Sequence, residues 1–146
     1  MCRHFTEDFG LETRIARYHN VYGPLGTFDG GREKAPAALC RKIINAKINN
    51  NNKIEVWGDG EQTRDLIHAT DVALIALKCI ATITGYHVMN IGEGKSYSIN
   101  HILSILLKLD NYDDANIVHI EKFGKKVLDD GECHAYNVWW LSLLQL

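Results

Sequence analysis

An α/β fold is what this 146-residue sequence predicts, on three observations. Helical and strand patterns alternate along the chain instead of segregating, the strand patterns are short and rich in isoleucine and valine, and glycine, proline or serine punctuates most junctions. With 46% hydrophobic and 23% charged residues, the chain has the composition of an ordinary globular domain.

In chain order, the first ten residues read as a helix end stopping at Gly10. Glu12–Asn20, ETRIARYHN, suits a strand running into the turn Val21-Tyr22-Gly23-Pro24. Pro36 is placed to open a helix over Ala37–Ala46, with Leu39, Ile43 and Ile44 as its apolar face. The polar run Lys47–Lys53, KINNNNK, has nothing with which to pack and is expected to be an exposed loop. Lys53–Trp57 and Arg64–His68 read as short strands around the turn Gly58-Asp59-Gly60. Thr70 or Asp71 is expected to cap a helix over Val72–Ile83, with Leu74, Ile75, Leu77, Lys78 and Ile80 forming a broad stripe before Gly85. His87–Ile91 is a strand closed by Gly92-Glu93-Gly94. Ser98 then caps a helix through Leu109, in which Ile99, Ile102, Leu103, Leu106 and Leu107 recur at helical spacing. Asn116–Ile120 is the last expected strand; Gly124–Glu132 is polar, and Tyr136–Leu146 is an apolar tail expected to bury or associate.

Charge and motif content narrow the function classes. A net charge of −2 and pI near 6.4 leave no excess of cations for a nucleic-acid backbone. Cys2, Cys40, Cys79 and Cys133 form no C-x-x-C pair and no zinc spacing, so reduced structural thiols and no metal are expected. No leader-like apolar segment or 18-residue apolar run is present, and a cytoplasmic protein is expected.

The segment Gly26–Lys42, GTFDGGREKAPAALCRK, sets Glu33 and Lys34 between a glycine-rich turn and a proline-started helix. On residue type alone Lys34 is a solvated charge, and Glu33 is a carboxylate favouring a helix N-terminus. Arg64 offers a planar fork suited to phosphate oxygens, or a surface ion pair with Asp65.

Three segments together resemble the extended short-chain dehydrogenase/reductase family, the NAD-dependent nucleotide-sugar epimerases and dehydratases. They are Arg17-Tyr18-His19-Asn20-Val21-Tyr22-Gly23-Pro24, then Gly58-Asp59-Gly60-Glu61-Gln62-Thr63-Arg64-Asp65 with Asp71 following, then Asn90-Ile91-Gly92 before a capped helix. Arg32-Glu33-Lys34-Ala35-Pro36 is similar to the branch of that family acting on GDP-mannose at C3 and C5. The resemblance implies the C-terminal, substrate-binding part of the fold over residues 1–123, lacking most of the Rossmann sheet, with 124–146 an unaligned tail. It implies oxidation at C4 by bound NAD, which makes the C3 and C5 protons exchangeable by an acid/base pair. It assigns Lys34 to that pair, Glu33 to orienting the sugar hydroxyls or holding the lysine, Lys34 and Ala35 to substrate binding, Asn20 to the neighbourhood of the sugar, Lys42 to the phosphates, and Gln62, Thr63 and Arg64 to the nucleotide. The second acid/base group of the family is a cysteine that precedes this region, and Cys40 is expected to be packing.

Neither the family's G-x-x-G-x-x-G loop nor its Y-x-x-x-K pair occurs in this sequence, so no cofactor-binding residue is assigned and the chain alone is expected to be an inactive fragment. Lys125 and Lys126 stand in a segment that does not align with the family's pocket-closing arginine and serine. The full-length enzyme is expected to be a homodimer, and the strand edge at Thr13–Asn20 to be open and prone to association. The alternatives are a non-catalytic nucleotide-sugar binding or partner module, or another family member such as a hexose 4-epimerase or dehydratase.

Overall fold

The computed structural model describes residues 1–121. They fall into two units, Met1–Gly23 with Asp65–Lys95, and Pro24–Arg64 with the residues from Ser96 onward. The expectations for Lys125, Lys126, Cys133 and the tail 124–146 lie outside the described residues.

In the first unit, helix α1 (Cys2–Phe9) stops at Gly10, which is left-handed at φ 66°. Strand β1 (Arg14–Tyr18) runs parallel to a strand at His87–Ile91, in register from Arg14↔His87 to Tyr18↔Ile91. The single strand expected over Glu12–Asn20 is therefore two. His19 still donates its N–H to Ile91 O at 3.0 Å, and from Asn20 the chain changes partner. Asn20–Tyr22 is a separate strand, β2, whose partners are Leu66, Ile67 and His68. Among the described residues β1 has no strand on its other edge.

In the second unit, α2 (Ala35–Ile48) has a proline in its first turn, as expected, and runs two residues into the asparagine-rich segment. Its buried positions are Leu39, Ile43 and Ala46, whereas Ile44 is exposed, so the apolar face follows an i, i+4, i+7 spacing. Strand β3 (Lys53–Trp57) alternates, burying Ile54 and Val56, and β4 spans Thr63–His68, its later residues belonging to the first unit.

Helix α3 (Ala69–Thr82), in the first unit, follows β4 without a loop. It starts three residues before the expected Val72, and its cap is neither Thr70 nor Asp71: the His68 ring nitrogen Nδ1 accepts from Thr70 N at 3.3 Å. Only Cys79 of this helix is buried; Leu74, Leu77 and Ile80 are 54%, 65% and 65% exposed. The stripe is wider than what covers it, because the strands packed on α3 are β1 and the three-residue β2. Strand β5 (His87–Ile91) completes this unit, whose apolar core includes Ile67, Cys79 and Ile91.

Strand β6 (Ser96–Ser98), a neighbour of β4, was not legible in the sequence, since three polar and aromatic residues carry no strand pattern. Helix α4 (Ile99–Leu109) packs on α2 and contributes the buried Ile102 and Leu103. Strand β7 (Asn116–Ile120) pairs parallel with β3 from Lys53↔Asn116 to Trp57↔Ile120. The fold is thus mixed α/β with small parallel sheets, as the alternation of patterns required.

Ser98 caps α4 as expected, its Oγ accepting from His101 N at 3.1 Å. Ser98→Ala is expected to cost about 1 kcal/mol in denaturant unfolding, with Ser98→Asp retaining most of the cap.

Candidate functional site

The charged segment singled out by sequence lies where the loop enters α2. Lys34 is the N-cap residue, extended at φ −75° and ψ 158°, and its carbonyl accepts the Ala38 N–H at 3.0 Å. The Lys34 side chain is exposed and makes no ion pair among the described residues. Ala35 opens the helix beside it.

Glu33 behaves in the opposite way. Its side chain is only 7% exposed, and Oε1 is ion-paired with Arg41 Nη2. The same guanidinium donates from Nε to Phe28 O at 2.9 Å, so one side chain on α2 ties together two points of the preceding loop. Glu33 Oε2 is buried and has no hydrogen-bond partner of ordinary geometry among the described residues. The backbone N–H of Glu33, and then Arg41, hold the carboxyl below the usual glutamate range. Sequence reasoning did not identify Arg41, because residues eight apart across a loop–helix junction have no periodic relation.

Lys42, one residue on, points its ammonium to β3: Nζ donates to Glu55 O at 2.6 Å and lies 5.1 Å from the centre of the Trp57 ring. Burial pushes its pKa down. Gln62 reaches the same tryptophan, with Nε2 at 3.5 Å from Trp57 O, and its Oε1 is buried without a partner among the described residues. Thr63 is exposed, and Arg64, half-buried, donates from Nη1 to Thr63 O at 2.6 Å.

The turn ahead of Gln62 is secured from two sides. Gly58 N donates to Ile120 O at 2.9 Å, and His119 Nδ1 lies 3.0 Å from Gly58 O. Asn100, at the start of α4, donates from N to Gly60 O at 3.0 Å, and from Nδ2 to Asp59 O at 2.9 Å and Glu61 Oε1 at 2.6 Å. A Cβ on Gly60 would stand 2.0 Å from Asn100 Oδ1, at φ 77°, so glycine is required for both space and backbone. Glu33, Lys34, Ala35, Lys42, Gln62, Thr63 and Arg64 thus all belong to the second unit.

Asn20 belongs to the first unit, where its Nδ2 donates to Asp65 O at 3.3 Å. The Asp65 carboxylate, which the sequence allowed as a surface partner of Arg64, is buried and accepts from Glu93 N at 2.9 Å and Gly94 N at 3.0 Å. Gly92 is the residue that permits this approach: a Cβ there would lie 2.6 Å from Asp65 Oδ2 and 2.8 Å from His19 Cδ2.

That contact bears on cofactor binding. A dinucleotide pyrophosphate is held by free backbone N–H groups of a glycine-rich turn opening a helix. After β5, the N–H groups of Glu93 and Gly94 are given to Asp65, and α3 follows β4 with no glycine. These turns do not fit a dinucleotide.

The cysteines Cys2, Cys40 and Cys79 are free thiols. Burial raises the Cys40 and Cys79 pKa values, which suits packing and not nucleophilic or acid/base work. Among the described residues no group of His, Cys, Asp and Glu could hold a metal, and no helix is long and apolar enough to cross a membrane.

Residues 1–92 match the family described as the NAD dependent epimerase/dehydratase family. The chain is 40% identical over 111 residues to GDP-mannose 3,5-epimerase 1 of Oryza sativa subsp. indica, and 39% identical over 110 residues to GDP-mannose 3,5-epimerase of Arabidopsis thaliana. These alignments cover 76% and 75% of this chain, and the chain spans 28% of the length of each relative. Among solved structures, a UDP-N-acetylglucosamine 4-epimerase from Methanobrevibacter ruminantium M1 superposes with a TM-score of 0.70 at 26% identity, covering 83% of this chain and 37% of that one.

Proposed function

This chain belongs to the NAD dependent epimerase/dehydratase family, and from that footing we propose that residues 1–123 are the substrate-binding part of a nucleotide-sugar epimerase. Its substrate is a GDP-mannose-type sugar, and its reaction exchanges protons at C3 and C5 through a 4-keto intermediate. The observation that carries this reading is the pairing of an exposed Lys34 with a buried Glu33 at the start of α2, inside the region that is 40% identical to a GDP-mannose 3,5-epimerase.

In this reading Lys34 gives or takes a proton at its Nζ. Glu33 keeps Oε2 as an acceptor for a sugar hydroxyl, and Ala35 leaves room beside the helix start for the sugar ring. Asn20 orients the sugar. Lys42 supplies positive charge toward the diphosphate from its seat on Trp57, and Gln62, Thr63 and Arg64 contact the nucleotide, Arg64 through charge-assisted hydrogen bonds. NAD is the cofactor of the proposed enzyme, and none of the described residues is assigned to it. The working enzyme is proposed to be a homodimer, and this chain alone to give no product from GDP-mannose and NAD⁺.

Calorimetric titration with GDP-mannose tests the binding part. The chain is expected to bind, and Arg64→Ala to weaken binding about tenfold or more, as the loss of a charge-assisted phosphate contact requires. Unchanged affinity in the variant removes Arg64 from the site, and product formed by the chain with NAD⁺ overturns its proposed inactivity.

The same residues also suit a second reading, a nucleotide-sugar binding module without catalysis. Supplying a GDP-4-keto sugar in deuterated water separates the two. Lys34-dependent deuterium uptake beside the carbonyl supports the epimerase part, and binding without uptake supports the module.

A further inference from the structure

Arg41 has no assigned part in the site, yet it holds more of the loop than any residue that does. From α2 its guanidinium reaches back to two points of the preceding segment, Glu33 Oε1 through Nη2 and Phe28 O through Nε. Between them lie Gly30 and Gly31, with φ of 83° and 77°, where the backbone by itself has the most freedom to lose on ordering. A bidentate cation across that flexible stretch removes the freedom. The carboxylate it captures is nine-tenths buried, with one oxygen taken and the other left without a hydrogen-bond partner among the described residues, immediately before the exposed Lys34.

We propose that Arg41 is a positioning residue for the sugar site: it clamps the segment 28–33 onto α2 and, by engaging Oε1, leaves the buried Oε2 as the Glu33 oxygen with accepting capacity for a hydroxyl beside Lys34. The loop clamp is a property of this chain; its role toward the sugar rests on the proposed function.

The fork makes the test sharp, because lysine carries the charge of arginine without its two-point geometry. In Arg41→Ala, backbone hydrogen exchange over residues 26–33 is expected to rise about tenfold, the effect of losing charge-assisted hydrogen bonds on local opening, with residues 39–46 unchanged. Glu33 is then expected to titrate at higher pH, partway back to the ordinary glutamate value, since its backbone N–H remains. In Arg41→Lys the Glu33 titration is expected to stay near wild type while the loop exchanges as fast as in the alanine variant. A loop as protected in the alanine variant as in wild type overturns the clamp, and one as protected in the lysine variant as in wild type overturns the two-point geometry.

GDP-mannose affinity is read in the same variants, with about tenfold loss expected in Arg41→Ala. If the wild type binds and Arg41→Ala binds equally well, the positioning role falls. If the wild type does not bind while the exchange and titration results come out as stated, the clamp stands and the proposed function falls.

Discussion

Leu103→Ala is expected to lower the unfolding free energy by about 3 to 4 kcal/mol, within the range of fully buried leucine truncations. Leu103 has no exposed surface, and it lies on α4 where that helix packs on α2. The core it joins holds few large side chains: Leu39 and Ile43 from α2, Ile54 and Val56 from β3, and Ile102 beside it. A small core has little to collapse inward, so most of the vacated volume remains as a cavity and its cost adds to the lost transfer free energy. Against a total stability of about 5 to 15 kcal/mol, such a loss removes a large share. The check is a shift in denaturant midpoint at unchanged slope. Leu109→Ala, on the same helix but 75% exposed, is expected to change stability by less than about 0.5 kcal/mol. A loss below about 1 kcal/mol for Leu103→Ala would falsify the assignment of this residue to a packed core.

Asp65→Ala is expected to be comparably damaging, by about 3 kcal/mol, for a polar reason. The carboxylate is 6% exposed and accepts from two successive backbone donors, Glu93 N and Gly94 N, each a charge-assisted bond worth about 1.5 to 3 kcal/mol when lost without replacement. Alanine leaves both donors unpaired and opens space against Gly92. Asparagine is expected to rescue only in part, since one of its two terminal groups is a donor facing a donor. Denaturant unfolding gives the magnitude. Exchange rates at the Glu93 and Gly94 amides give the location, and protection of both in the alanine variant would place the latch elsewhere.

Much of the fold was legible locally. Lys53–Trp57 alternates apolar and polar residues, and it is a strand with Ile54 and Val56 inside. Ser98 before an apolar run at helical spacing marks a cap, and its Oγ makes the bond. The errors occurred where an element's partner, not its own pattern, decides. Glu12–Asn20 looks like one strand, but the chain leaves β5 and joins β4 after His19, so the strand divides. The stripe on α3 is apolar at Leu74, Leu77 and Ile80, and nothing in a helix's own periodicity states how many of those positions another element will cover. The candidate site divides in the same way. Lys34 and Arg64 were readable as residue types in motif context, whereas Arg41 on Glu33, Lys42 on Trp57 and Asp65 on the Gly92-Glu93-Gly94 turn join positions far apart in periodicity or in sequence.

By itself, then, the sequence determined the class of the fold, most of its elements and the family to which the chain belongs, because periodicity, capping and motif order are properties of neighbouring residues. Only the tertiary structure decided which charges are exposed and which are internal ties. Glu33 and Lys34 are adjacent in GGREKAP, yet one is buried against Arg41 and the other exposed at the helix start. Burial and partnership depend on what the rest of the chain brings to each side chain, and no spacing rule within a short segment contains that information.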